Sequence, residues 1–182
     1  MKKERLRCIS EGAVLTAVAL VLSYLKIPTG GFGGAIDLAM VPVIIYAVRR
    51  GLSWGLCSGL ILGTLQFFLG GGTAVNWQSM LLDYSVAYMF VGFAGLMKGR
   101  ELGLTLGALI GCLARFFIHF LSGITIYAEY MPPEFLGIGM KNTWIYSLLY
   151  NGTYMLPSTI LAMIVCAALT VPLKKLALRE TN

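Results

Sequence analysis

The sequence predicts an all-α polytopic membrane protein: a bundle of six membrane-spanning helices forming a single domain over residues 1–182, with both termini cytoplasmic. Three observations carry this. Hydrophobic residues make up 58% of the 182 and charged residues only 12%, whereas soluble domains carry about 25% charged residues. Apolar blocks follow one another with short polar breaks, in a number that suits roughly 20 residues per crossing. The basic residues also fall in alternate breaks, which is how topology is written into membrane proteins. Together these exclude an ordinary water-soluble enzyme and a disordered chain.

The first block runs from about Ser10 to Ile27, behind a basic head of Lys2, Lys3, Arg5 and Arg7. It has the outline of a signal peptide, but no small-residue cleavage site follows and further spans do. A glycine-rich segment, Pro28-Thr-Gly-Gly-Phe-Gly-Gly34, leads to a short second block from about Ile36 to Val48. Roughly 13 residues at about 1.5 Å rise cannot cross a core about 30 Å thick. Either this helix starts deep or the glycine loop dips into the bilayer against protein. Irregular backbone is tolerated there only where protein buries it or it lines a cavity. The third block spans Leu52 to Leu69 and ends in Gly70-Gly71-Gly72. The fourth runs from Trp77 to Met97, the fifth from Leu102 to Tyr127 and the sixth from Thr143 to Pro172.

With the N-terminus inside, the cytoplasmic breaks hold Lys2, Lys3, Arg5, Arg7, Arg49, Arg50, Lys98, Arg100, Lys174, Lys175 and Arg179. The opposite side holds Lys26 and Lys141, and Arg115 is left within a span. The net charge of +6 is therefore a topology signal, and no nucleic-acid partner is expected. Cys8, Cys57, Cys112 and Cys166 lack metal-ligand spacing and there is one histidine, so neither a metal nor a cofactor is predicted. Glycines recur every four residues at 51, 55, 59 and 63, and again at 99, 103, 107 and 111. Residues four apart share a helix face, and missing side chains let helix axes approach closely. Internal packing is the reading for both stripes. The milder stripe of Ala13 and Ala17 in the first span suits either packing or the docking of another membrane subunit.

Chemistry is expected where polar groups enter apolar spans, because an ionisable group near the bilayer centre costs about 2.5–3.5 kcal/mol on insertion scales. Counting about 1.5 Å per residue from the outer ends puts Asp83 roughly 9 Å deep, and His119 and Asn151 roughly 12 Å deep. Three helices thus bring an acid, an imidazole and an amide to one level. Arg115, His119, Gly123 and Tyr127 form one stripe on the fifth span. Tyr84 and Tyr88 follow Asp83, while Trp144, Tyr146, Tyr150 and Tyr154 surround Asn151. Ring faces attract cations and stack on flat heteroaromatics, and Asp, His and Asn read ring nitrogens and amino groups. A planar, nitrogen-rich, cationic or neutral ligand follows. Asp83 pairing structurally with Arg115 or His119 is the competing interpretation. The chain has no GxxxxGK[ST] phosphate loop, no HExxH and no GxSxG, so it is not read as an enzyme. It also lacks the inverted repeat of many secondary transporters.

Leu81-Leu-Asp-Tyr84, Arg115-Phe-Phe-Ile-His-Phe-Leu-Ser-Gly123 and above all Trp144-Ile-Tyr-Ser-Leu-Leu-Tyr-Asn-Gly-Thr-Tyr-Met-Leu-Pro157 resemble the thiamine-specific substrate-binding subunits of energy-coupling factor transporters. The resemblance covers essentially the whole chain. It implies thiamine binding near the outer face under the loop between the first two helices. It also implies a shared transmembrane coupling subunit and two ATPase subunits as partners, with the lipid bilayer around the bundle. By the same resemblance, Asp83 and Tyr84 contact the aminopyrimidine end, and His119 and Tyr127 face the thiazolium. Tyr146, Asn151 and Trp144 complete the wall, Phe32 is a lid residue, and Ala13 and Ala17 dock on the coupling subunit. Asp83 and Tyr127 stand where the family more often has Glu and Trp, and the outer loop from Ala128 to Asn142 is long for it. The alternative function is a stand-alone proton-coupled carrier with Asp83 and His119 as relay, and a membrane-embedded enzyme or scaffold is the third reading.

Overall fold

The computed structural model describes residues 2–29 and 34–180. Six helices follow in order: α1 (Lys2–Tyr24), α2 (Met40–Arg50), α3 (Leu52–Leu69), α4 (Trp77–Met97), α5 (Gly103–Thr125) and α6 (Thr143–Glu180). Two hairpins of two-residue strands interrupt the all-α pattern. One pairs β1 (Ile27–Pro28) with β2 (Ala35–Ile36), the other β3 (Glu134–Phe135) with β4 (Ile138–Gly139). Among the described residues, five helices rather than six are long and apolar enough to cross a membrane. The exception is α2, whose 11 residues rise only about 16 Å.

Helix α2 survives because protein surrounds it. Met40, Val41, Pro42, Val43, Ile44, Tyr46 and Ala47 are all buried, and most of them form the core with Ala19, Leu62, Tyr88, Val91, Ala94, Ala108 and Cys112. Such all-round apolarity marks a helix enclosed on every side. Conversely, Val14, Val18, Leu113, Phe117, Leu148, Ile160 and Ile164 point outward, as lipid contact requires. The turn from α2 to α3 is the single residue Gly51, at φ 103, whose N–H donates to the Ala47 carbonyl at 2.7 Å. A side chain is disfavoured at that φ.

Helix α1 starts earlier and ends earlier than its apolar run suggested, because its charged head continues the helix. Glu11 there forms an ion pair with Arg49 at 3.1 Å and accepts a hydrogen bond from Arg50. Tyr46 Oη donates to the Cys8 carbonyl at 2.8 Å, and Gly12 leaves the room, since a Cβ there would lie 2.7 Å from that phenol oxygen. Ala13 and Ala17 take no part in internal packing; both are exposed on the outer face of α1. Helix α6 runs through Pro157 without ending. Around it the Thr153, Ser158 and Thr159 hydroxyls donate to the Tyr150, Tyr154 and Met155 carbonyls, beside the Thr153 carbonyl that Pro157 leaves without its helical donor.

The glycine stripes pack internally except at Gly99, where a Cβ would meet nothing within 4 Å. A Cβ on Gly59 would sit 2.1 Å from the Tyr88 carbonyl oxygen and one on Gly63 would sit 2.1 Å from that of Tyr84, so α3 meets α4 backbone to backbone. From the α4 side, Gly92 and Gly95 press on the α3 backbone at Leu56 and Leu52. Gly107 and Gly111 of α5 pack on Val48, Val91 and Ala94. Helix α4 is not uniform. Asn76 and Ser79 cap it reciprocally, a π turn runs over Leu81–Val86, and the last turn tightens over Gly92–Met97.

Gly59→Leu is expected to lower the unfolding temperature in detergent sharply, overpacking costing about 1–3 kcal/mol or more. Gly152→Ala, with nothing within 4 Å of its Cβ, is expected to be neutral or to stabilise by about 0.5–1 kcal/mol. Equal melting of the two variants would contradict backbone contact at Gly59.

Candidate functional site

Helices α4, α5 and α6, Gln66 of α3, the turn at Tyr127–Tyr130 and two loops line a cavity of about 790 Å³. The π turn of α4 supplies Asp83 and Tyr84, α5 supplies Arg115, His119 and Gly123, and α6 supplies Tyr146, Ser147, Tyr150, Asn151 and Tyr154. The α1–α2 loop covers one side, through Lys26, Pro28, Gly34, Ala35 and Asp37, and loop 70–75 covers another. The wide π turn inserts a residue into the helical register, as such turns often do at functional sites. It falls where the Tyr84 carbonyl presses on Gly63.

Asp83 and His119 meet. His119 Nδ1 lies 3.3 Å from Asp83 Oδ1, both side chains being largely shielded from solvent. Of the two partners the sequence left open for the acid, the structure selects the histidine. Arg115 instead stacks its guanidinium 4.0 Å over the Tyr88 ring and donates to Tyr88 Oη at 3.1 Å. It is 7% exposed, and among the described residues no carboxylate lies within 4 Å of it. Asp37 acts on it from a greater distance, while Asp37 Oδ1 accepts the Ala39 N–H at 2.8 Å at the start of α2.

The amide of Asn151 is committed within the protein. Its Nδ2 donates to the Ser147 carbonyl at 2.9 Å, and its Oδ1 accepts from Tyr154 Oη at 2.7 Å. Gly123 makes this possible, since a Cβ there would lie 2.1 Å from Ser147 Oγ. Asn151 therefore presents one remaining acceptor position and orients Tyr154. Tyr84 Oη accepts from the Thr73 N–H at 3.0 Å and donates to the Thr73 carbonyl at 3.2 Å, tying down loop 70–75.

Of the residues singled out from sequence, Asp83, Tyr84, His119, Tyr127, Tyr146 and Asn151 converge on the cavity. Trp144 does not: it is 59% exposed and packs edge-on to Phe120 at 5.7 Å, because it lies two residues from Tyr146 on a different face of α6. Phe32 lies outside the described residues. Asp37, Gln66, Tyr88 and Arg115 also line the cavity; the sequence pattern puts Tyr88 among the rings around Asp83 and Arg115 on the His119 stripe, and gives none of the four a ligand contact. Gln66, a lone amide within an apolar span, carried the same signal as Asp83. Tyr146, Tyr150 and Tyr154, spaced by four, form one continuous ring wall, with centroids 5.7 and 6.0 Å apart. At its far end Tyr154 meets His119 edge-on at 6.3 Å.

Gly34 carries the covering loop onto this wall. Its φ is +74, and a Cβ there would lie 2.4 Å from the Tyr154 ring. Chemically, the cavity pairs a shielded carboxylate with a row of tilted and edge-on phenol rings and one imidazole. That suits a flat cation with hydrogen-bonding ring nitrogens.

Comparison with known proteins agrees with this chemistry. The profile of a family described as "Thiamine transporter protein" matches residues 9–178. The chain is 32% identical over 182 residues to "Thiamine transporter ThiT" of Lacticaseibacillus paracasei, covering 91% of this chain and 88% of that protein. It is 32% identical over 185 residues to the Bacillus subtilis protein of the same name, covering 92% and 91%. A solved structure described as ThiT from Listeria monocytogenes superposes with a TM-score of 0.81 at 25% identity, covering 95% of this chain and 98% of that one.

Tyr127, just beyond the end of α5, supplies a pH test. Burial, and next the Asp83 charge, push its phenol from 10.0 up to about 12. The folded state thus favours the neutral ring. Its contribution to stability is complete below pH 10.0 and is lost as pH rises through about 12. A difference titration of tyrosinate absorbance between the wild type and Tyr127→Phe is expected to place the missing ionisation near the upper value. A midpoint at the ordinary value would place this phenol in water, away from Asp83.

Proposed function

This chain belongs to the thiamine transporter protein family, and on that premise we propose that it is the high-affinity thiamine-binding membrane subunit of an ATP-driven importer of the energy-coupling factor type. It captures thiamine on the extracellular side and passes it inward with a shared transmembrane coupling subunit and two ATPase subunits. The protein sits in the cell membrane with both termini cytoplasmic. In support, Lys26 and the cavity lie at one end of the bundle, while Arg49, Arg50, Lys98 and Arg100 cluster in the breaks at the other. The exposed Ala13 and Ala17 face of α1 is where the coupling subunit docks, small residues allowing close helix approach.

The observation that carries the ligand assignment is the charge balance of the buried cavity. Among the shielded lining groups Asp37 and Asp83 face the one cation of Arg115, while Lys26 adds its positive charge from the exposed rim. With His119 neutral, the shielded part of the cavity keeps one acid in excess for a ligand carrying one permanent positive charge. Asp83 and Tyr84 receive the aminopyrimidine, His119 and Tyr127 face the thiazolium, and Tyr146 and Asn151 close the wall. The α1–α2 loop covers the ligand through Gly34 on Tyr154. The Asp83–His119 contact also suits the second reading, a stand-alone proton-coupled carrier.

Purified protein titrated calorimetrically with thiamine is expected to show tight binding, with no comparable response to riboflavin or biotin. Asp83→Asn is expected to weaken thiamine binding by about 30- to 1000-fold, the usual cost of truncating one partner of a desolvated charge pair. Riboflavin binding as tightly as thiamine would overturn the ligand assignment. Uptake into vesicles by this chain alone, driven by a pH gradient without ATP, would instead establish the carrier. Gly34→Ala is expected to speed thiamine release about tenfold or more, since both its backbone angle and the Tyr154 ring oppose a methyl group. Release at the wild-type rate would mean that this loop does not cover the ligand.

A further inference from the structure

The segment between α5 and α6 contains a feature that the cavity alone does not explain. After the short helical turn Tyr127–Tyr130, the chain forms the β3–β4 hairpin, closed at its base by the Met140 N–H donating to the Pro133 carbonyl at 2.9 Å. Its two central residues, Leu136 and Gly137, both have positive φ, 54° and 76°. This is the tight two-residue turn whose twist matches paired strands. Leucine is uncommon in that region, so the hairpin is held in place by what it packs against.

That contact is Phe135. It is 5% exposed although it is flanked by the exposed Glu134 and Leu136. Its ring meets Tyr146 edge-on, centroids 5.5 Å apart at 87°, and Tyr150 at 6.1 Å and 51°. Both tyrosines line the cavity and Phe135 does not. Ring contact then continues from Tyr146 to Tyr150, Tyr154 and His119, which touches Asp83. From these contacts we infer that Phe135 is a positioning residue for the ligand site. It anchors the outer end of the tyrosine wall and so sets the geometry in which Tyr146 and Tyr150 receive a flat ligand. The hairpin that delivers it lies in the outer loop between α5 and α6.

This inference rests on the thiamine reading, and one experiment separates the two. Thiamine affinity and dissociation rate are measured on the full chain, wild type and variants, together with the melting temperature of each free protein. Phe135→Leu is expected to weaken binding by about 5- to 50-fold, from the loss of two aromatic pairs. Most of that loss falls in a faster dissociation rate. Phe135→Tyr, which keeps the ring, is expected to stay within about threefold of wild type. Leu136→Asn, which suits the positive φ and leaves the wall untouched, is expected to bind as wild type. In a chain already carrying Tyr146→Leu, the effect of Phe135→Leu should shrink, because contacting residues are non-additive.

Wild-type affinity in Phe135→Leu would overturn the inference. So would an equal loss from Phe135→Leu whether Tyr146 is intact or carries the Tyr146→Leu substitution, or an equal loss in Leu136→Asn. If Phe135→Leu does not fold, Phe135→Met provides the same comparison with the same outcomes. A wild-type chain that fails to bind thiamine counts against the function itself, and this inference falls with it.

Discussion

The backbone contact between α3 and α4 is the constraint on which the rest of the structure depends. With the Tyr84 and Tyr88 carbonyls against Gly63 and Gly59, no side chain can separate the two helices on that side. The bulk of α4 is turned elsewhere: Tyr88 toward the core and the cavity floor, Asp83 and Tyr84 toward the cavity. Without a hydrophobic driving force between helices in lipid, close van der Waals approach and interhelical hydrogen bonds must hold the bundle. The Thr16–Ser58 pair at 2.8 Å and the Thr64–Ser85 pair at 2.9 Å add such bonds between α1 and α3 and between α3 and α4. The tightly packed side of α3 and α4 and the open cavity are therefore two results of one packing arrangement.

Buried charge is handled by distribution rather than by simple pairing. Arg115 has no carboxylate in contact among the described residues and is held by the face and hydroxyl of Tyr88. Such cation–ring contacts reach about 2 kcal/mol when desolvated. Asp83 is held by an imidazole and Asp37 by the N-terminal turn of α2. Each charge is stabilised locally, and the local partners do not cancel the acids. A cavity built this way keeps an electrostatic preference for a cation while the empty protein stays folded.

The walls divide between fixed and attached parts. Asn151, Ser147, Gly123 and Tyr154 form a satisfied network between α5 and α6, and networks of this kind hold rings in one orientation. The α1–α2 loop lies against this wall through Gly34, loop 70–75 is tied to Tyr84, and the β3–β4 hairpin reaches it through Phe135. The ligand site is thus a rigid two-helix wall with loops fastened around it at single residues.

Composition, block length and the distribution of Lys and Arg were enough to identify a helical membrane protein, and polar residues inside apolar blocks were enough to single out Asp83, His119 and Asn151. Those signals are legible because burying a polar group in lipid is costly wherever it occurs. The sequence also flagged the second block as too short to span. What it did not decide was that α2 would be enclosed on every side by the other helices, since an 11-residue apolar run looks the same whether protein or lipid surrounds it. Nor did it separate Trp144 from Tyr146: two residues apart on a helix, they take different faces, and the phase of α6 is set by Ser147 against Gly123 across the interface. The π turn at Leu81–Val86 and the anchoring of Phe135 on the tyrosine wall likewise arise from contacts between segments far apart in the chain. Local pattern determined which residues leave water; tertiary packing determined which of them meet.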